Sequence, residues 1–220
     1  MDREAESSGP GLVAATAAGP ARRLPHERIV DVARELFCRD GIHATGIDRI
    51  LSEAGASKMT LYSRFGSKEM LLREVLRAEG ADWRDAFFRT VTTAAPDAQG
   101  RLDALVDALA TWFRGGRFYG CAFMNAAAEH TKGQDWLRAL AADHHRVILD
   151  ELDRLAFEAG YAEPAMLARQ LLLLVDGVIA ALMVSGDAAV LAVGARNLRA
   201  ILAAERCLST GTETERPVGP

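Results

Sequence analysis

Apolar residues recur along this chain at three- and four-residue spacing. No stretch alternates polar with apolar over strand length, so the pattern predicts helices throughout. A first helix is expected from Pro25, because proline suits a first-turn position whose N–H has no helical partner. Its stripe is Ile29, Ala33, Leu36 and Phe37, and Gly41 ends it. Thr45 precedes a short helix with Ile47, Ile50, Leu51 and Ala54 on one face, and its hydroxyl can cap an open backbone N–H. Gly55 breaks that helix, and Ser57 caps a second short one, from Lys58 to Phe65, which Gly66 stops. Ser67 then caps a longer helix, with Met70, Leu71, Val75 and Leu76 as its stripe, continuing through Trp83 and Phe87 to Val91.

Past a loop at 96–100 the pattern predicts one helix carrying Leu102, Leu105, Val106, Leu109, Trp112 and Phe113. A short helix from Phe123 to His130 follows, then a long one from Trp136 that ends at Gly160. Pro164 opens the next, through Val184, and Asp187 caps a last one reaching Leu208. The expected fold is all-α, with about nine helices and no sheet. It divides into a disordered Ala/Gly/Ser/Pro-rich tail at 1–21, a module at 22–75, a helical body at 76–208 and a flexible tail at 209–220.

Composition narrows the class. With 220 residues, half of them apolar, the chain has ample material for a buried core and is not a disordered one. Its three cysteines, Cys38, Cys121 and Cys207, are odd in number and far apart, which suits reduced thiols in a cytoplasm rather than a disulfide scaffold. The acidic-leaning first residues do not read as a secretory signal. The longest apolar stretch, 171–184, is 14 residues interrupted by Asp176, short of the roughly 20 that a membrane span needs. Net charge is −4 overall, yet between Arg22 and Arg77 eleven basic residues stand against eight acidic ones. A mildly basic module on an acidic body points to a polyanion at one end.

The module has the layout of a helix-turn-helix, at about 47–66. Two short helices are joined by Ala54-Gly55-Ala56-Ser57, with a third helix before them. The second short helix would project so that its outer face lies in a DNA major groove. Ser57, Lys58, Met59 and Thr60 occupy its N-terminus, where docking places base contacts, and the dipole there favours phosphate. Tyr62 and Lys68 offer a hydroxyl and an ammonium to phosphate oxygens, which set register rather than sequence. Thr45 and Gly46 would present a hydroxyl and backbone N–H groups to the groove's other side. Leu61 and Phe65 fall on the buried side. Arg22 and Arg23 read as a solvated linker, with a DNA-touching arm as the alternative.

The stretch from Gly41 to Leu71 resembles the DNA-binding module of tetracycline-repressor (TetR) family regulators. The resemblance rests on the Ala54-Gly55-Ala56-Ser57 turn, Thr60-Leu61-Tyr62, Phe65, and Ser67-Lys68-Glu69 followed by Leu71. It implies that Lys58, Met59, Thr60 and Tyr62 face DNA and that Thr45 and Lys68 hold phosphate. Gly46 departs from the threonine common in the family, and Leu51 from a common alanine. The function implied is a cytoplasmic, ligand-responsive transcription regulator without a cofactor. It would be a repressor that binds a palindromic operator as a dimer and is released by a small molecule.

One recognition helix reads few base pairs, so a second copy about 34 Å away is expected on mechanical grounds. The last two helices are the candidate interface. The segment 171–184 is apolar nearly all round, more than one core face needs. Small residues such as Ala180, Ala181, Gly186 and Gly194 permit close helix approach. The resembled family pairs through its last two helices. Trp83, Phe87, Trp112, Phe113, Cys121, Phe123, Met124, Asn125 and His144 are the candidate lining of an effector site, apolar with a few polar anchors. Asn125 and His144 lead that set, because a buried polar group needs a partner.

No phosphate-binding Gly-x-x-x-x-Gly-Lys loop, Gly-x-Ser-x-Gly elbow, Glu-x-x-His pair or His-Glu-x-x-His helix occurs, so the chain is not expected to be an enzyme. The competing reading is an all-helical metal-dependent enzyme or metal sensor using Glu129, His130, Asp143, His144 and His145.

Overall fold

The structure, a computed structural model, describes residues 24–116, 118–129 and 135–211, with side chains through residue 206. Among them are ten α-helices and no strand: α1 Pro25–Asp40, α2 Ile47–Ala54, α3 Lys58–Phe65, α4 Lys68–Ala94, α5 Ala98–Asp103, α6 Leu105–Arg114, α7 Ala122–Glu129, α8 Asp135–Glu158, α9 Pro164–Ser185 and α10 Ala189–Gly211. Arg22, Arg23 and His130, and the side chain of Cys207, lie outside the described part.

The extra helix comes from one division. The expected helix through Leu102 and Phe113 is two, α5 and α6, meeting at Ala104, whose N–H is shared between the Gly100 and Arg101 carbonyls. Neither glycine nor proline marks the joint, and the apolar stripe runs across it. Asp97 accepts from the Gly100 N–H and so starts α5.

Local chemistry sets the short helices of the module. Ser57 Oγ accepts from the Thr60 N–H (3.1 Å) and Ser67 Oγ from Met70 N–H (3.1 Å), each filling an orphan donor of a first turn. Gly55 ends α2 at φ +57°, a left-handed conformation in which a side chain would clash. Arg28 of α1 closes the same turn by donating to the Ala54 and Gly55 carbonyls. Ile29, Ala33, Leu36, Phe37, Ile50, Leu51, Leu61 and Phe65 pack as one buried cluster with Leu71, Leu72, Val75 and Leu76 of α4. Arg34 ties α1 to α4 through Glu79 and Asp82.

A second cluster holds the body together, from Phe87 and Val91 of α4 through α6, α8, α9 and α10. The helix α4 is unbroken from one cluster to the other, so the expected boundary at 75/76 falls inside it. The module's cluster does not stop at that boundary either. Phe123 and Ala126 of α7 and Leu137 of α8 are buried in it.

The apolar stretch at 171–184 is part of a helix of 22 residues, long and apolar enough by composition to cross a membrane. One side of α9 is core: Leu167, Leu171, Val175, Val178 and Leu182 are buried.

Candidate nucleic-acid interface and effector cavity

The two faces of α3 differ as a recognition helix requires. Leu61 and Phe65 are buried against the module, whereas Met59 is 80 % exposed and Tyr62 49 % exposed. Lys58 also points outward and pairs with Asp48 of α2 at 2.8 Å, which holds its ammonium above its usual range. Both partners are mostly exposed, so the pair is weak and can be exchanged for a phosphate or a base edge. Ser57 and Thr60 lie side by side at the same end, their hydroxyls 3.0 Å apart. Gly46 caps α2 with open space around its Cα. The N-termini of α2 and α3 thus offer backbone N–H groups and exposed side chains at the module's surface.

Two expected phosphate ligands are placed differently. Thr45 is fully buried, and its hydroxyl donates to the Gly41 carbonyl (2.7 Å) and the Leu36 carbonyl (3.3 Å). It fastens the α1–α2 turn to the end of α1. It neither caps α2, where Gly46 stands, nor presents its hydroxyl outside, because a hydroxyl with two internal acceptors has no hydrogen left to give. Lys68 is half-buried, and its Nζ donates to the Ile42 carbonyl at 2.6 Å, above the Phe37 ring. Burial pushes its ammonium below the usual range, opposed by the nearby Glu129 carboxylate. Its first task is therefore to brace the same turn, with two ammonium hydrogens left over.

That turn has a third brace, from the body. The Glu129 carboxylate at the end of α7 accepts the Ile42 N–H (3.0 Å) and the His43 N–H (2.8 Å). The His43 ring returns a hydrogen bond from Nε2 to the Glu129 carbonyl (2.7 Å). The competing metal reading takes Glu129 as a ligand. Its acid type is visible in the sequence, but its partners Ile42 and His43 lie 87 and 86 residues away.

The candidate effector residues divide into three groups. Trp83, Trp112, Cys121, Phe123 and His144 line one small cavity, together with Glu79, Gly80, Gly120, Ala122, Ile148, Asp176 and Ile179, which sequence reading missed. The cavity has a volume of about 20 Å³, room for roughly one water molecule. Phe113 and Asn125 instead line an open cleft of about 800 Å³ between the end of α1, the α6–α7 connection and the end of α9. Phe87 and Met124 line neither. Phe87 is core, stacked under Trp83 with ring centroids 4.8 Å apart, and Met124 packs against the body's cluster.

The polar anchors of both spaces already have protein partners. Asn125 donates to the Tyr119 carbonyl (2.9 Å), bracing the α6–α7 connection rather than pointing to a ligand. His144 is stacked on Phe123, with centroids 4.3 Å apart, and its Nδ1 accepts from Arg84 (2.7 Å). Burial, helped by Arg84 and His145, pushes its imidazole down to about 3, so it is neutral. The floor of the cavity is Gly80. A Cβ there would come within 2.9 Å of both the His144 ring and the Phe123 ring, too close unless something shifts. Burial raises the Asp176 carboxyl, against the pull of His145 at 3.4 Å. Burial likewise raises the Cys121 thiol, although the Met124 and Phe123 amides favour its thiolate, and pushes the Cys38 thiol up to about 12. Protonated thiols are poor nucleophiles.

The four described residues of the competing metal site do not come together. Glu129 holds the α1–α2 turn, Asp143 pairs with Arg146, His144 with Arg84 and His145 with Asp176. Among the described residues no three His, Cys, Asp or Glu side chains are grouped to hold a metal ion.

Residues 29–75 match the family described as bacterial regulatory proteins, tetR family. The transcriptional regulator QacR of Staphylococcus aureus is 37 % identical over 59 residues, covering 27 % of this chain and 31 % of QacR. The transcriptional repressor KstR2 of Rhodococcus jostii is 33 % identical over 78 residues, 36 % of this chain and 38 % of KstR2. The chain thus spans only about a third of the length of these relatives. The likeness to a solved structure is longer. SCO4454, a TetR-family transcriptional regulator from Streptomyces coelicolor, superposes with a TM-score of 0.73 at 29 % identity, over 82 % of this chain and 95 % of that one.

Proposed function

We propose, on the premise that the chain belongs to the TetR family of bacterial regulatory proteins, which its residues 29–75 match and whose fold it shares, that it is a dimeric, ligand-released repressor acting on a palindromic operator in the cytoplasm. The observation that carries the reading is the division of α3. Leu61 and Phe65 anchor it inward, while Lys58, Met59 and Tyr62 stand clear of the protein. Lys58 and Met59 sit at the end that reads base edges, and Tyr62 reaches the backbone. The N–H groups of Gly46, Ile47 and Ser57 favour phosphate through the helix dipoles. Lys68 has two ammonium hydrogens left over for a phosphate, whereas Thr45 acts from inside.

The dimer would form through α9 and α10. Met166, Leu173, Gly177 and Val184 are exposed and recur at seven-, four- and seven-residue spacing, on one stripe opposite the buried side of α9. On α10, Ala192, Val193, Ala200, Ala203 and Ala204 are exposed as well. Two such helices from each chain make a four-helix interface. The effector would enter the cavity at Trp83, Trp112, Cys121, Phe123 and His144, displacing its walls, because a space of about 20 Å³ is smaller than any organic ligand.

Selection of duplexes from a random-sequence pool with the full chain tests the function directly. Enrichment of an inverted repeat with half-sites about one helical turn apart is expected. Recovery of no preferred sequence would overturn it.

A further inference from the structure

We propose that α7 is the coupling element of this protein and that Glu129 is a positioning residue for DNA binding: one end of the helix is a wall of the cavity, and the other holds the turn that places α2. The inference rests on the DNA-binding reading of the module and goes beyond it by naming the connection.

The two ends of α7 are about 9 Å apart along the helix axis, from Phe123 to Glu129. Phe123 lies between the cavity and the module's core, with its ring on His144. Glu129 receives two N–H groups of the α1–α2 turn, those of Ile42 and His43, and takes a return bond from His43. A carboxylate accepting two amides is a strong, directional contact, and here it joins the body to the module. Thr45 and Lys68 fasten the same turn from within the module, so the turn moves as one piece with the start of α2. A short helix does not bend easily, so a shift imposed on Phe123 is carried to Glu129. The cavity has room for roughly one water, so an entering molecule must impose such a shift. The unexpanded cavity and the intact Glu129 contact therefore belong to the same, DNA-competent state, and widening one loosens the other.

Gly80 allows a test without knowledge of the effector. Gly80→Ala inserts a methyl group within 2.9 Å of Phe123 and His144, the wedge that a ligand would supply. Glu129→Ala removes the contact at the other end. In full-length protein, each change is expected to speed amide hydrogen exchange at Ile42 and His43 about tenfold, while the amides of α10 keep their protection. Each is also expected to weaken binding to a palindrome selected by the wild-type chain by about fivefold or more. A mixed-sequence duplex without the palindrome should lose much less, because only paired modules must match a spacing. The double variant should be no weaker than the worse single one, since both act on one connection.

Should Glu129→Ala not fold, Glu129→Gln keeps the shape and one acceptor, and a smaller change in the same direction is expected. Unchanged exchange at Ile42 and His43 in folded Gly80→Ala protein would overturn the coupling, and so would palindrome affinity equal to or above wild type in Glu129→Ala. If the wild-type chain selects no DNA, the DNA-binding reading fails instead. The exchange measurement, which needs no DNA, still decides whether Phe123 and Glu129 are linked.

Discussion

Tyr62 and Lys58 stand on the same exposed face of α3 but are assigned different tasks, and substitution separates them. Tyr62→Phe removes the one hydroxyl that the proposed docking assigns to a phosphate. Affinity should fall about fivefold, near 1 kcal/mol, and equally for every duplex tested by fluorescence anisotropy. Lys58→Ala should instead alter which bases are preferred when selection from random duplexes is repeated. His144 gives a test that needs no DNA. Its imidazole is neutral in the fold down to about pH 3, whereas in the unfolded chain it titrates near 6.5. Between those values the unfolded chain binds a proton that the folded chain refuses. Stability is therefore full above pH 6.5 and falls as the pH drops, by up to about 1.4 kcal/mol per unit from this residue. Urea melts of wild type and His144→Gln between pH 5 and 7 should show the steeper slope in wild type. At this scale the sequence was readable wherever the partner was close in the chain. Ser57 and Ser67 cap the helices they precede, and Leu61 and Phe65 turn inward as their spacing requires. Thr45 was misread as outward because its acceptors, Leu36 and Gly41, are chosen by the packing of α1 on α2 rather than by local pattern.

At the scale of elements, spacing carried the reading of nearly every helix, and the exception is instructive. The joint at Ala104 lies in a stripe that is apolar on both sides, so neither period nor composition marks it. Helix α9 shows what an excess of apolar residues means. Its core side is filled by Leu171, Val175, Val178 and Leu182, and a second stripe through Leu173 and Val184 is left outside, with Leu173 75 % exposed and Val184 91 % exposed. Leu173→Glu should cost little in the stability of one chain, because it removes no core contact. It should shift sedimentation from dimer to monomer, because two charges would face each other across the pairing surface. A Leu173→Glu protein that sediments as wild type would remove α9 from the interface.

For the whole molecule, the DNA-binding module and the body are not separate bodies on a hinge. Helix α4 runs through both cores, and α7 adds Phe123 and Ala126 to the module's cluster while its last residue grips the α1–α2 turn. The existence of a module was readable from its caps and its turn. Which aromatic residues surround a cavity was not, because Trp83 and Phe87 carry the same helical spacing, and only the assembled helices make one a wall and the other core. The central claim is that α3 of one subunit and α3 of a second enter the same face of a duplex, one helical turn apart. Its most direct test is to insert five base pairs, about half a turn, between the half-sites of a selected palindrome and titrate the full chain by anisotropy. Affinity should fall to that of mixed-sequence DNA, because a dimer held through α9 and α10 cannot reach both faces. Affinity unchanged by the insertion would contradict the account.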